Sequence, residues 1–434
     1  MMAGRFSFFS EMVAGLLERT PFRSQAATEA GLPALCQALV SGRGEVSGKR
    51  IAAEILSRYR EIGPEERLAF FHSMAKDMDV EPASIIKAAQ AYAEAPSGRS
   101  YQALATAAEP PRQEFLRRLN QAPGATFELV KMRLELLKLL PDHPELGPLD
   151  VDFTHLFRSW FNRGFLVLRR IDWHTPANIL EKIIQYEAVH AINDWSDLQR
   201  RVLPTDRRCF AFFHPAMLEE PLIFVEVALT PGVPDSVQQL LAEARAPISE
   251  AEADTAVFYS ISNCQEGLRG ISFGNSLIKQ VVEELHHELP GITTFVTLSP
   301  IPGLMKHLSA SEDPAAAAII AASREGASAL APHSADLRRL AADYLLNARN
   351  ARGEPADPVA RFHLGNGAQV HKIHAGADTS PNGLRQSAGA MVNYLYDPAR
   401  IETNHEAFVS DQVIAASKEV RALSQAAPAA GKTK

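Results

Sequence analysis

Residues 255–303 constrain the fold of this chain more than any other stretch. Residues 255–262 are dense in β-branched and aromatic side chains, which suit a pleated, half-buried surface. Residues 263–274 carry three glycines, Gly267, Gly270 and Gly274. Residues 275–288 then follow a helical period, with Leu277, Ile278, Val281, Val282 and Leu285 on one face. Residues 291–299 read as a second strand, closed by the stiff turn Pro300-Ile301-Pro302-Gly303. Strand, glycine-rich loop, helix and strand make a βαβ unit. Its loop brings backbone N–H groups to a helix N-terminus, where the macrodipole also favours negative charge. Such a loop suits a phosphate or pyrophosphate.

The chain before this unit reads differently from the chain around it. Residues 1–161 show amphipathic and alanine-rich helical patterns and no strand pattern, which predicts an all-helical domain. From residue 162 onward strands and helices alternate, predicting a mixed α/β domain over 162–434 and an α+β class for the whole. Within it, residues 175–189 read as a helix capped by Thr175 with Pro176 at its first position. Residues 350–358 read as a linker, 359–367 as a short segment before a strand over 368–373, 411–424 as a final helix, and 425–434 as a disordered tail.

Composition excludes several functions. With 434 residues, two domains are expected. A net charge of −7 leaves no electrostatic footprint for nucleic acid, so phosphate recognition must be local. No apolar run approaches ~20 residues, so no membrane span is expected. Glu11, Glu18 and Arg19 interrupt the N-terminal stretch, which does not read as a secretory signal. Cys36, Cys209 and Cys264 are few and far apart, which suggests neither disulfides nor a zinc cluster. A reducing compartment, by default the cytoplasm, fits. No metal site is expected. His286 and His287 are adjacent on a helix, and His371 and His374 fall on opposite faces of a strand.

Several irregular segments carry a resemblance. They are His214-Pro215, residues 220–226 (EPLIFVE), residues 258–262 (FYSIS), Gly274 with Leu277-Ile278-Lys279, residues 298–303 (LSPIPG), and Phe362-His363-Leu364 with Asn366-Gly367-Ala368. Through them the chain resembles the malonyl-CoA decarboxylase family from about residue 173 to 417. The resemblance implies a catalytic domain similar to the acyl-CoA N-acetyltransferase (GNAT-like) fold, a splayed mixed sheet that admits acyl-CoA. It implies a CoA-binding loop of Arg269, Gly270, Ile271, Ser272, Phe273, Gly274 and Asn275, with Ile278 on the next turn. The glycine spacing departs from the usual acetyltransferase pattern of Gln/Arg-x-x-Gly-x-Gly/Ala. The resemblance also implies Ser299 and His363 as catalytic residues, an acyl-CoA substrate, no cofactor, and homo-oligomers, dimers or tetramers; the helical domain, which carries no catalytic constellation, is the expected interface.

The implied chemistry is intelligible. Loss of CO₂ from malonyl-CoA leaves a thioester enolate, and the thioester is itself the electron sink. The enzyme must orient the carboxylate, stabilise the enolate oxygen and protonate carbon, the last a task for histidine. Without the resemblance, Ser299 before proline reads as a turn residue and the glycines as tight turns. An acyl-CoA-dependent N-acetyltransferase on the same scaffold, and a non-catalytic CoA sensor, are the alternatives.

Overall fold

The computed structural model describes residues 31–41, 45–271, 273 and 277–426. The chain divides into two compact units, residues 1–156 and 157–434. Among the described residues of the first there are helices and no strand. Phe70, Phe71, Phe115, Leu119, Leu129, Leu136 and Phe153 form much of its buried interior. Buried guanidiniums are satisfied by carboxylates: Arg112 binds Asp152 at 2.5 Å and Asp79 at 2.6 Å, and Arg133 binds Asp150 at 2.7 Å. Such pairing is what permits charge inside a helical interior. Helices Pro82–Glu94 and Gly98–Ala108 differ from the rest, for neither buries a residue.

The second unit is organised on one mixed sheet. Strands β1 (Val167–Ile171), β2 (Arg207–Phe213), β3 (Ile223–Thr230) and β4 (Thr255–Asn263) pair antiparallel in sequence order. Strand β5 (Thr294–Thr297) then joins β4 in parallel. The βαβ crossover between them is the helix Leu277–Glu288, whose buried residues Leu277, Ile278, Val281, Val282 and Leu285 are those of the apolar stripe. They pack with Phe210, Phe212, Val225, Val227, Phe258 and Phe295 on one face of the sheet. On the other face Cys209, Ala211, Phe213 and Phe224 meet Ile179, Leu180, Ile183 and Val202. Alternate residues of β2 thus serve opposite cores, which explains why all seven are buried.

Past β5 the sheet opens. The expected strand over 291–299 is broken: Thr294–Thr297 pairs with β4, and Ser299–Pro300 is a separate short strand, β6. β6 pairs instead with β8 (Met391–Leu395), which also takes β7 (Gln369–His374). On the β4 side, Glu226 of β3 pairs with Ser260 but the next residue, Val227, pairs with Phe258, so Tyr259 is a β-bulge. Before the bulge the Phe258 carbonyl accepts from the Leu298 N–H at 3.0 Å, across to β5. After it, the Cys264 N–H reaches β3 through the Leu222 carbonyl at 2.9 Å. By strand alternation the main chain of Ile261 and Asn263 therefore faces the opening. This splayed mixed sheet after a helical unit is the architecture the sequence implied.

Several local expectations are corrected. The helix of 175–189 is Ala177–Tyr186; its cap position is Pro176, and the Thr175 hydroxyl instead accepts from the Asp172 N–H. It stops because Glu187 is recruited elsewhere, as described below. The presumed linker ends in a cap: Asp357 and Pro358 start the helix Pro358–Gly365, which gives the short segment its conformation and carries His363. The final helix is two, Ile401–Asp411 and Lys418–Gln425. Between them the chain runs beside β7, where Val370 bonds both Ala415 and Ser417 at 2.9 Å. Most of the tail, 427–434, lies outside the described residues.

Candidate active site

Ser299 and His363, 64 positions apart in the chain, meet at the opening. Ser299 Oγ lies 3.2 Å from His363 Nε2, and both residues are buried. One buried carboxylate joins the elements that carry them. Asp357 Oδ1 accepts from the N–H groups of Val359 (2.9 Å) and Ala360 (3.0 Å), capping the histidine helix. Asp357 Oδ2 accepts from the Gly303 N–H at 3.3 Å, holding the turn after Ser299. Gly303 is required there, because a Cβ would sit 2.0 Å from the Tyr344 hydroxyl. The C-terminal end of the histidine helix is fixed likewise: Gly367 has φ +81°, and a Cβ there would lie 2.1 Å from the Ile401 carbonyl oxygen.

Other contacts fix the two side chains. The Ser299 hydroxyl donates to Thr297 Oγ1 at 2.8 Å. His363 Nδ1 is 2.7 Å from the Tyr396 hydroxyl, and the imidazole stacks on Tyr394 with centroids 4.5 Å apart. Burial, with no carboxylate to offset it, pushes the His363 pKa down to about 3, so the ring is neutral near pH 7.

Two cavities adjoin here. One, of about 250 Å³, has Ser299 and His363 in its wall with Val189, Phe258, Tyr259, Ile261, Asn263, Val359 and Phe362. Among the described residues lining it, none is an acid, a lysine or an arginine. Val189 is held over it by Glu187, whose carboxylate accepts from the Val189 and His190 N–H groups at 2.8 and 2.7 Å and from the Ser260 hydroxyl at 2.8 Å. These bonds, two to the following backbone and one to β4, accompany the end of the helix at Tyr186.

The second cavity, of about 530 Å³, shares Asn263 and Phe362 with the first. Arg269, Gly270, Ile271 and Phe273 of the expected loop line it, with Arg361, Gln265 and Asn366. Leu277 also reaches it, whereas Ile278 points into the core at 1% exposure. Ser272, Gly274 and Asn275 lie outside the described residues. Sequence reasoning missed Val189, Thr297, Arg361 and the role of Tyr396. The only signal for Tyr396 was its alternation with Tyr394.

Cys36, Cys209 and Cys264 are all free and buried, and burial raises each thiol pKa. Among the described residues one group, His72, His143 and Glu145, could offer three ligands to a metal; it lies in the first unit. No helix among the described residues is long and apolar enough to cross a membrane.

Fold and site define a class: a two-unit enzyme with a helical N-terminal region and a splayed mixed sheet. Residues 164–433 match the family model of the malonyl-CoA decarboxylase C-terminal domain, and residues 78–161 that of its N-terminal domain. The chain belongs to the malonyl-CoA decarboxylase family and is a carboxy-lyase. It is 51% identical to the crystal structure of malonyl-CoA decarboxylase from Rhodopseudomonas palustris, covering 90% of this chain and 98% of that one, with a TM-score of 0.84. The structure from Agrobacterium vitis is 49% identical, with coverage of 90% and 99% and a TM-score of 0.85. The mitochondrial malonyl-CoA decarboxylase of Anser anser anser is 35% identical over 348 residues, 72% of this chain and 69% of the relative.

Proposed function

We propose that this chain decarboxylates malonyl-CoA to acetyl-CoA and CO₂ without a cofactor, with His363 as proton donor and Ser299 beside the reacting carboxylate. The observation that carries this reading is the Ser299–His363 pair, 3.2 Å apart, in the wall of a cavity without ionised side chains. A carboxylate brought into such a cavity loses water and gains no cation. Departure as neutral CO₂ relieves that cost. The electron pair of the broken C–C bond passes into the thioester as an enolate. The Ile261 and Asn263 main chain faces the opening, where an N–H group can stabilise the enolate oxygen. His363 then delivers its Nε2 proton to the α-carbon. A thioester enolate carbon is a much stronger base than an imidazole nitrogen, so a neutral ring suffices. Water restores the ring, so the reaction consumes one proton overall.

Arg269 and Arg361, in the adjoining cavity, supply positive charge for the CoA phosphates, and Gly270, Ile271 and Phe273 shape the loop. Ser272, Gly274 and Asn275 belong to the same assignment by sequence alone. Incubation with malonyl-CoA alone tests the function. Acetyl-CoA and CO₂ formed without an amine are expected; no turnover without an amine, and acyl transfer with one, would overturn it in favour of an N-acetyltransferase.

The reading includes a homo-oligomer, a dimer or tetramer, joined through helices Pro82–Glu94 and Gly98–Ala108. Ile86 and Tyr101 on these helices are 58% and 62% exposed, apolar surface that a second copy would cover. Sedimentation of Ile86→Glu/Tyr101→Glu should show a smaller species than the parent; an unchanged mass would remove these helices from the interface. A reducing compartment, by default the cytoplasm, completes the reading.

A further inference from the structure

Thr297 lies two residues before Ser299, fully buried, at the end of β5. Its hydroxyl oxygen accepts two hydrogen bonds: one from the Tyr394 N–H at 3.1 Å, the other from the Ser299 hydroxyl at 2.8 Å. Its strand position is locked as well, since the Thr297 carbonyl accepts from Asn393 Nδ2 at 2.7 Å. The proton of Ser299 is therefore committed to Thr297. What Ser299 turns toward His363 Nε2 is a lone pair, and a lone pair 3.2 Å away calls for a proton on that nitrogen.

The far side of the ring agrees independently. Among the described residues, the only hydrogen-bond partner recorded for the buried Tyr396 hydroxyl is His363 Nδ1, at 2.7 Å. If Nδ1 carried the proton, the phenol hydrogen would have no acceptor, which is costly in a buried site. With the proton on Nε2, Tyr396 donates to His363, His363 to Ser299 and Ser299 to Thr297.

We propose that Thr297 is a positioning residue that sets the tautomer of His363, keeping the transferable proton on Nε2, the nitrogen beside Ser299. The inference rests on His363 as proton donor, but its test does not require turnover. In Thr297→Val the Ser299 hydroxyl loses its acceptor and turns to His363 Nε2, driving the ring proton to Nδ1.

The measurement is ¹⁵N NMR of histidine-labelled full-length protein without substrate, with the His363 signal assigned by its loss in His363→Gln. The parent should show protonated Nε2 and unprotonated Nδ1. The reverse pattern in the parent overturns the proposal, whether or not any variant folds. In Thr297→Val the two signals should exchange character. The rate should fall by ~10–10², within the range of a displaced acid–base group, while CoA affinity is unchanged. Thr297→Ser, which keeps the hydroxyl, should restore both tautomer and rate. A Thr297→Val protein that keeps the Nε2 proton, or keeps its full rate, overturns the proposal. Failure of His363→Gln to reduce turnover would instead overturn the catalytic reading and leave the tautomer result standing.

Discussion

The two adjoining cavities are built on opposite principles. The 530 Å³ cavity is largely loop-made and carries two guanidiniums, Arg269 and Arg361, against one carboxylate, Glu266. The 250 Å³ cavity is made by strand ends and one capped helix, and its polar groups are neutral. The first suits groups that must stay charged throughout, such as phosphates. The second suits a group that must lose its charge. Binding and chemistry are thereby separated within one opening: attraction is concentrated where nothing reacts, and the reacting end offers little to hold the ground state.

Four changes would break or sharpen that contrast. The largest effect is expected at the neutral end: His363→Ala and Ser299→Ala should each lower kcat by ~10²–10⁴ with little change in CoA affinity, read by steady-state kinetics and calorimetry. If both variants kept near-full rates, the assignment of chemistry to this cavity would fail. A cation added to the same cavity attacks the contrast directly. Val189→Lys should tighten malonyl-CoA binding and slow turnover by ~10–10², because a paired carboxylate is stabilised before it reacts. Faster turnover would count against the charge argument. At the cationic end, Arg269→Ala should raise KM by ~3–10-fold with kcat nearly constant, and added salt should shrink the difference.

The smallest effect concerns stability. The His363 pKa is about 3 in the folded protein and ~6.5 unfolded. Between those values the unfolded chain binds a proton that the native chain does not. Native stability is therefore full above ~6.5 and falls as pH drops toward 3, by up to ~1.4 kcal/mol per pH unit from this residue. His190, with its pKa pushed down to about 4 by burial, adds to the same trend. Denaturant melts between pH 7 and 5 should lose stability less steeply in a folded His363→Gln variant. An identical slope would mean that His363 is charged in the native state.

How much of this was legible depended on the range of the interaction. The crossover helix was readable because its stripe is a local period. The capped histidine helix was also spelled locally, as Asp357-Pro358, but prolines and glycines around it suggested a linker. Glu187 was not readable: its neighbours suit a helix, and bonds to the Ser260 and Ser262 hydroxyls of β4, far along the chain, help divert it. The split between β5 and β6 was hidden for the same reason, because β6 takes its partner from residues 391 and 392. Ser299 and His363 were singled out by resemblance. Thr297 was missed because its importance lies in the direction of one hydroxyl proton, which no spacing encodes.

The bulge at Tyr259 has a consequence for how such a site can arise or vanish. One surplus residue exchanges the inward and outward positions of everything after it in β4, and the pairing of β4 with β5 stops at Phe258, just before it. Deleting that single codon would restore the count. The strand could then close against its neighbour, and the space for substrate would be lost although every side chain in its wall except Tyr259 remained encoded. Activity in this architecture is vulnerable to a change of length where it would tolerate many changes of letter.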